Sequence, residues 1–459
     1  MNKANFPHHI FREYDIRGLA DSEVTESFAT RLAQAYVQFL PKNTSKPIIV
    51  GRDVRLSGLK LQQALIKALT GQGLNVVDVG MLPTPLVYFA VHQLDAAGCM
   101  MVTASHNPAP YNGFKMMVGK DSFHGQDIQK LKALMLENTV VASTQQGECT
   151  CLDVLPDYIS FVSQDCRLVR PLKVVIDAGN GPSGVVAAPI YRALGCEVVE
   201  LYCDPDGNFP NHHPDPTIED NLQDLKEKVL ETKADIGLAF DGDGDRLGVV
   251  DAKGKVVWGD MLLLLLSRQL LQQHPHATII SEAKSSQLLY DDIQAKGGTA
   301  VMWRTGHSLM KAKMKETGAL LAGEMSGHFF FADRFFGFDD ATYAGARIMQ
   351  LLAEQSQPLS SLLDDVPQWV STPEILVACP DDKKFDVVRQ AKLFFAKQAC
   401  EMIEIDGMRL LFDDGWALLR ASNTQPALTL RFEAKDKQTL LVMKAKLEHW
   451  LQNHLENIS

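Results

Sequence analysis

Residues 48–102 read IIVGRDVRLSGLKLQQALIKALTGQGLNVVDVGMLPTPLVYFAVHQLDAAGCMMV. Three short apolar runs, Ile48–Val50, Val76–Val79 and Gly98–Val102, read as strands. The stretches between them, Leu59–Leu69 and Pro85–Leu94, have the length and residue types of helices. A β-α-β-α-β order of this kind predicts a mostly parallel sheet with helices on both faces.

The pattern restarts downstream. Lys173–Ile176 reads as a strand ending in the turn Ala178-Gly179-Asn180-Gly181-Pro182, followed by a helix over Val185–Leu194 and a strand over Glu197–Tyr202. A third unit runs through Met261–Gln272 (helix), Thr278–Ile280 (strand), Ala300–Trp303 (strand), Leu309–Lys315 (helix) and Leu320–Ala322 (strand). These are three successive α/β units of about 100 residues, without close sequence repetition between them. From about Thr372 the order changes to strand, helix, strands, helix: Glu374–Ala378, Phe385–Phe395, Met402–Ile405, Trp416–Ala421, Thr429–Ala434 and Leu440–Leu451. The expectation is α/β overall: three similar mixed or parallel-sheet domains over 1–148, 149–250 and 251–365, then an α+β domain with an antiparallel sheet over 366–459.

Composition limits the function classes. The 459 residues are 46% hydrophobic and 22% charged, the make-up of a folded globular chain. A net charge of −11 opposes nucleic-acid binding, which needs a basic surface, but allows a small anion held by a few local cations. The N-terminus has no apolar core of a signal peptide, and the leucine run at Met261–Leu266 is far too short to span a membrane. A cytoplasmic protein is expected. Its eight cysteines are expected to be reduced; the nearest pair, Cys149 and Cys151, lacks zinc or redox spacing.

Four stretches carry chemistry. In Phe240-Asp241-Gly242-Asp243-Gly244-Asp245-Arg246, three carboxylates alternate with glycines between two apolar runs. Glycine permits the tight path that converges the acids, and a hard divalent cation relieves their repulsion. An EF-hand is excluded, because its sixth position is Arg246 and its twelfth is Ala252. A solvated polar turn is the other reading. Thr103-Ala104-Ser105-His106-Asn107-Pro108 follows the strand Gly98–Val102, at the strand end where ligand sites form in parallel sheets. Alone, Ser105 also reads as a turn cap, and it lacks the G-x-S-x-G elbow of acyl hydrolases. Gly323-Glu324-Met325-Ser326-Gly327-His328 offers an acceptor, a hydroxyl and an imidazole suited to sugar hydroxyls, or forms a plain turn. Arg420-Ala421-Ser422-Asn423-Thr424-Gln425-Pro426, with Arg431 nearby, reads as a phosphate clamp or a polar hairpin.

Taken together, in this order and spacing, the four stretches resemble the α-D-phosphohexomutase family, closest to its bacterial bifunctional phosphomannomutase/phosphoglucomutase branch. Phe11-Arg12-Glu13-Tyr14-Asp15-Ile16-Arg17-Gly18, Tyr111-Asn112-Gly113-Phe114-Lys115 and Asp204-Pro205-Asp206-Gly207-Asn208-Phe209-Pro210 agree with it. The resemblance implies four domains around a central cleft and a phosphoryl carrier at Ser105. It implies Mg2+ held by Asp241, Asp243 and Asp245 together with the phosphate on Ser105. Glu324, Ser326 and His328 match sugar contacts. Arg420, Ser422, Asn423, Thr424 and Arg431 match the distal phosphate site. His106, Lys115, Arg246, His307, Tyr14, Arg17 and Lys284 match cleft residues that stabilise charge, bind substrate or move protons. The implied reaction moves phosphate between C6 and C1 of mannose or glucose phosphate, primed by glucose 1,6-bisphosphate or mannose 1,6-bisphosphate. The expected partner is a hexose monophosphate, with neither nucleic acid nor membrane, and the expected state is a monomer, with a dimer as the alternative. Ala104 stands where this branch often has Gly, and Phe335 where it often has Trp. Phosphoglucosamine mutase is the nearest alternative, though its sugar loop usually has Gln at the position of Met325. A metal-dependent sugar phosphatase and a non-catalytic sugar-phosphate or calcium-binding module are the alternatives from other classes.

Overall fold

Ile48–Arg52 runs parallel to Gly98–Val102 on one side and to Val76–Met81 on the other. The helices Gly58–Gly71 and Thr84–Gln93 make the crossovers, as residues 48–102 predict. The computed structural model to which these elements belong describes residues 6–42, 44–137, 145–398, 401–423 and 425–455. Two antiparallel strands, Tyr111–Val118 and Ile16–Leu19, extend the first sheet beyond Gly98–Val102. The sequence pattern hides Tyr111–Val118, because burial along nearly its whole length erases the period of two. At the opposite edge lies Cys149–Cys151, which pairs in parallel with Val76–Met81. The run expected to open the second unit at residue 149 therefore completes the first sheet, where it covers a strand edge. All seven described cysteines are free thiols.

In the second sheet, Glu197–Leu201, Lys173–Asp177 and Ile236–Phe240 are parallel neighbours, and Leu247–Asp251 turns back antiparallel against Ile236–Phe240. The third sheet repeats the plan. Thr299–Trp303, Thr278–Glu282 and Leu321–Gly323 are parallel, with Phe329–Phe331 antiparallel at the edge. In each unit, one functional loop leaves the carboxyl end of a parallel strand. One apolar cluster passes from helix Thr84–Gln93 through the second unit into the third, joining Leu86, Ile190, Leu238, Leu263 and Met349. The three units thus share a core and form one packed body.

The tail domain is an antiparallel sheet in the order Val370–Ser371, Ala427–Ala434, Gly415–Ala421, Met408–Phe412, Glu401–Ile403, with Ile375–Ala378 also paired to Ala427–Ala434. Alternation along Gly415–Ala421 sorts its side chains. Ala417 and Leu419 pack with the helices Lys384–Phe395 and Lys437–Leu455, while Trp416 and Leu418 face Ala283 of the third unit. Arg409 crosses this seam. It donates to the carbonyls of Ala283 (2.7 Å) and Ser285 (2.9 Å) and lies 3.9 Å above the Trp416 ring. Burial pushes its pKa down to about 10, so it remains a cation at neutral pH. Among the described residues, no helix is long and apolar enough to cross a membrane.

Replacing Arg409 by Met keeps the stem and strands two buried carbonyls without donors. Arg409→Met is expected to lower stability by about 3 kcal/mol. Denaturant unfolding measures this, and an unchanged midpoint would show that Arg409 contributes nothing to holding the tail domain.

Candidate active site

The strand Gly98–Val102 delivers the chain into a loop that is held from below. Asp53 and Arg55, both buried, follow the neighbouring strand Ile48–Arg52 and pair at 3.2 Å. Arg55 donates to four carbonyls of the loop: Ser105 (2.7 Å), Pro108 (2.7 Å), Tyr111 (2.9 Å) and Asn107. Asp53 accepts from the Thr103 hydroxyl (2.7 Å), which in turn accepts from the Ser105 N–H (2.8 Å). So braced, Ser105 holds φ +51°, a left-handed conformation costly for a side chain with a Cβ. Its hydroxyl donates to Asp241 Oδ2 at 2.9 Å and lies 3.1 Å from His106 Nδ1. Burial, reinforced by Arg246 and Arg17, pushes His106 well below its ordinary pKa, so the ring is neutral.

Asp241, Asp243 and Asp245 meet Ser105 from the second unit, on the tight turn between Ile236–Phe240 and Leu247–Asp251. Gly242 is required there: a Cβ would lie 2.4 Å from the Ser105 carbonyl oxygen. Asp241 has partners on both oxygens, and Asp243 and Asp245 on one each. Asp241 Oδ1 accepts the N–H groups of Asp245 (3.0 Å) and Arg246 (3.1 Å). Asp243 Oδ2 accepts from Thr84 and from Lys115 (2.7 Å), and Asp245 Oδ2 accepts from the same Lys115 ammonium. Burial and the two neighbouring acids push Asp241 well above the usual carboxylate range. Burial also acts on Asp243, but Lys115 outweighs it and holds that carboxyl low. Lys115 is desolvated too, yet the same two aspartates keep it protonated. As placed beside the two aspartates, it is a cation.

The triad fits a divalent metal. Ligand atoms from all three carboxylates lie within 4.8 Å of one another. Asp243 Oδ1 and Asp245 Oδ1 are buried with no hydrogen-bond partner, an arrangement that hard-oxygen coordination satisfies. Asp245, His328 and Asp339 converge similarly, but Lys311 already donates to Asp339 at 2.8 Å.

The third unit brings the sugar loop to the cleft. Glu324 accepts from Gly306 N–H (2.7 Å) and from Ser326 (3.2 Å). Glu282, fully buried beneath it, accepts from Met325 N–H (2.9 Å) and Thr305 (2.6 Å). Burial pushes Glu282 up to about 7, with Lys284 opposing and Glu324 adding. Lys284 pairs with Glu374 of the tail. His328 Nε2 accepts from Arg246 at 3.1 Å, and its ring stacks on His307.

The first and last units close the ring. Tyr14 donates to the Thr305 carbonyl (2.6 Å) and accepts from Asn423 (2.7 Å), so one hydroxyl links three domains. Gly306 lies under the Tyr14 ring, where a Cβ would approach to 2.3 Å. Arg17 pairs with Asp15 and donates to Asn107 (2.8 Å). Arg420 is held by Asp406 (2.9 Å), which also accepts from Thr305 N–H (3.0 Å). Ser422 accepts from Gln425 N–H. Arg431 is committed elsewhere: it donates to the Lys284 carbonyl and lies 3.6 Å from Asp260, so it backs Lys284 from the seam. Thr424 lies outside the described residues.

The supporting residues Asp53, Arg55, Glu282, Lys311, Asp339 and Asp406 do not stand out in the sequence motifs. A signal exists for two pairs. Asp53 and Arg55 place charge shortly after the apolar run Ile48–Val50, and Asp339-Asp340 ends a phenylalanine-rich run.

Comparison with known proteins agrees with this architecture. Models of the phosphoglucomutase/phosphomannomutase alpha/beta/alpha domains I, II and III match residues 8–140, 156–254 and 258–369, and the model of the family's C-terminal domain matches 374–449. A phosphoglucomutase of Neisseria meningitidis is 45% identical over 434 residues, 94% of each chain. A phosphomannomutase/phosphoglucomutase of Pseudomonas aeruginosa is 43% identical over 446 residues, 97% of this chain and 96% of that one. The crystal structure of a phosphoglucomutase/phosphomannomutase family protein from Burkholderia thailandensis superposes with a TM-score of 0.90 at 42% identity, covering 97% of both chains. With every domain matched in order and the loops of all four converging on one cleft, the chain belongs to the phosphoglucomutase/phosphomannomutase family.

Proposed function

We propose that the chain is a phosphomannomutase/phosphoglucomutase, an isomerase that moves phosphate between C6 and C1 of glucose or mannose phosphate with Ser105 as the carrier. The observation that carries this reading is the Ser105 hydroxyl, 2.9 Å from Asp241 of the acid triad and braced through its own carbonyl by Arg55.

In the forward half, phosphorylated Ser105 meets the free hydroxyl of a hexose monophosphate. The bond between Ser105 Oγ and phosphorus breaks as a bond from the sugar oxygen forms. The hydroxyl proton passes to a base of the cleft, and Ser105 Oγ takes a proton in turn. His307, neutral and lining the cleft, is our candidate for handing a proton to Ser105 Oγ. Lys115, which donates to Asp243 and Asp245, brings positive charge to the same point. Arg246 and His106 flank the same point. When bound by Asp241, Asp243 and Asp245 with the phosphate on Ser105, Mg2+ would supply charge that offsets the transferring group. The product, a 1,6-bisphosphate, turns end for end, and Ser105 takes back the other phosphate.

Glu324 and Ser326, with His328 beside them, read sugar hydroxyls. Arg420, Ser422, Asn423 and Thr424 grip the phosphate that is not reacting, with Tyr14, Arg17 and Lys284 lining the path between the two sites. Buried cations facing a cleft are the expected counterpart of a doubly anionic ligand. Glucose 1,6-bisphosphate or mannose 1,6-bisphosphate would restore a dephosphorylated Ser105. The free thiols support a cytoplasmic setting, and the cleft is complete within one chain, which supports a monomer.

Ser105→Ala is expected to reduce turnover by at least ~1000-fold while sugar-phosphate binding stays within about threefold, measured by a coupled assay and calorimetry. Retained turnover would remove the carrier role. Mannose and glucose differ only at C2, away from the O3 and O4 that Glu324 and Ser326 are proposed to read. Activity on mannose 1-phosphate and glucose 1-phosphate is therefore expected to agree within roughly 100-fold. A larger preference in parallel assays would show that C2 is read directly.

A further inference from the structure

Behind the two cleft imidazoles lies a buried pair, Asp339 and Lys311. Asp339 is fully buried and precedes the helix Ala341–Ala353. Lys311 lies one turn beyond His307 on the helix His307–Thr317, on the same face. Its ammonium donates to Asp339 Oδ1 at 2.8 Å and reaches His307 Nδ1 at 3.4 Å. Asp339 Oδ2 lies 3.0 Å from His328 Nδ1 and 3.6 Å from His307 Nδ1, charge contacts without hydrogen-bond alignment, and Asp245 Oδ1 lies 3.7 Å from the same His328 nitrogen.

Donor chemistry fixes the proton on each ring. Guanidinium and ammonium groups only donate. Arg246 Nε donates to His328 Nε2 at 3.1 Å, so that nitrogen is the lone pair and the proton of the neutral ring is on Nδ1, facing Asp339. Lys311 donates to His307 Nδ1, so His307 carries its proton on Nε2, a buried atom with no hydrogen-bond partner among the described residues. The rings are 20° from parallel with centroids 5.5 Å apart, yet they sit in opposite tautomers. Burial pushes His307 well below its ordinary value, with Lys311 adding to it, which keeps that ring neutral.

We propose that Asp339, acting with Lys311, is a positioning residue that holds His328 as an acceptor aiming the Arg246 guanidinium and His307 as a donor aimed at a substrate oxygen. The terminal nitrogens of Arg246 make no hydrogen bond to the described residues, so aiming through Nε leaves them for the phosphoryl group. This inference rests on the placing of Arg246 and His307 at the reacting phosphate.

Histidine 15N NMR on the full chain reads tautomers directly. In the unsubstituted protein, His328 is expected to be protonated at Nδ1 and His307 at Nε2; the same tautomer in both rings would overturn the proposal without any variant. Asp339→Asn is isosteric but can offer an N–H to His328 Nδ1. It is expected to shift the His328 tautomer and lower kcat about 100-fold, with KM within threefold. Lys311→Met is expected to change the His307 signal and leave that of His328. An Asp339→Asn protein with its His328 tautomer unchanged, or with kcat within threefold of the parent, would overturn the positioning role. A wrong carrier assignment is detected separately, by an active Ser105→Ala protein, and leaves these tautomers untouched.

Discussion

Three carboxylates buried within 4.8 Å of one another repel, and groups from two domains answer that repulsion. Part of the answer is local: two backbone N–H groups converge on Asp241 Oδ1 from the turn that carries all three acids. Part comes from the first domain, where Lys115 sits between Asp243 and Asp245, and Thr84 at a helix start donates to Asp243. The second sheet therefore cannot keep its acid loop unless the first sheet delivers Lys115 to it. The apolar core likewise runs without a break from helix Thr84–Gln93 into the second and third units. The domains are coupled at the point where charge is most costly. Two oxygens still lack partners, and they define where a metal belongs.

The last domain is joined on different terms. At its base, Arg409 is sunk into carbonyls of the third unit and stacked on Trp416, a contact whose loss strands buried groups. At its far end, contact with the rest of the cleft runs through single hydrogen bonds, such as Asn423 to Tyr14, and an exposed ion pair between Arg12 and Asp381 at 3.5 Å. Hydrogen bonds of this kind contribute about 1 kcal/mol each, and exposed ion pairs less. The buried contacts thus lie at the seam and the weaker ones at the mouth of the cleft.

The parallel strands and crossovers of residues 48–102 are legible because apolar runs of strand length alternate there with longer stretches of helix formers. The antiparallel strands Tyr111–Val118 and Met408–Phe412 are harder to see. Burial or a short polar turn removes the alternation that marks them, and Cys149–Cys151 is too brief to show which sheet it joins. The four functional loops are legible for another reason. Their chemistry needs glycines, hydroxyls and charges in close succession, and such runs stand out in sequence. Arg55, Glu282 and Asp339 act across distances of 40 to 50 residues or through a second side chain, so each appears in the sequence as one isolated charge. Arg431 shows a different pattern. It stands close to the phosphate loop in sequence, but the strand turns it into the seam.

The left-handed backbone at Ser105 also bears on which amino acid can occupy the position. Threonine carries the same hydroxyl and forms an equally good phosphate ester. Its second branch at Cβ, however, clashes with the backbone at positive φ, and the four Arg55 contacts leave the loop little freedom to relax. The choice of serine over threonine in this chain is thus made by torsion angles and not by reactivity.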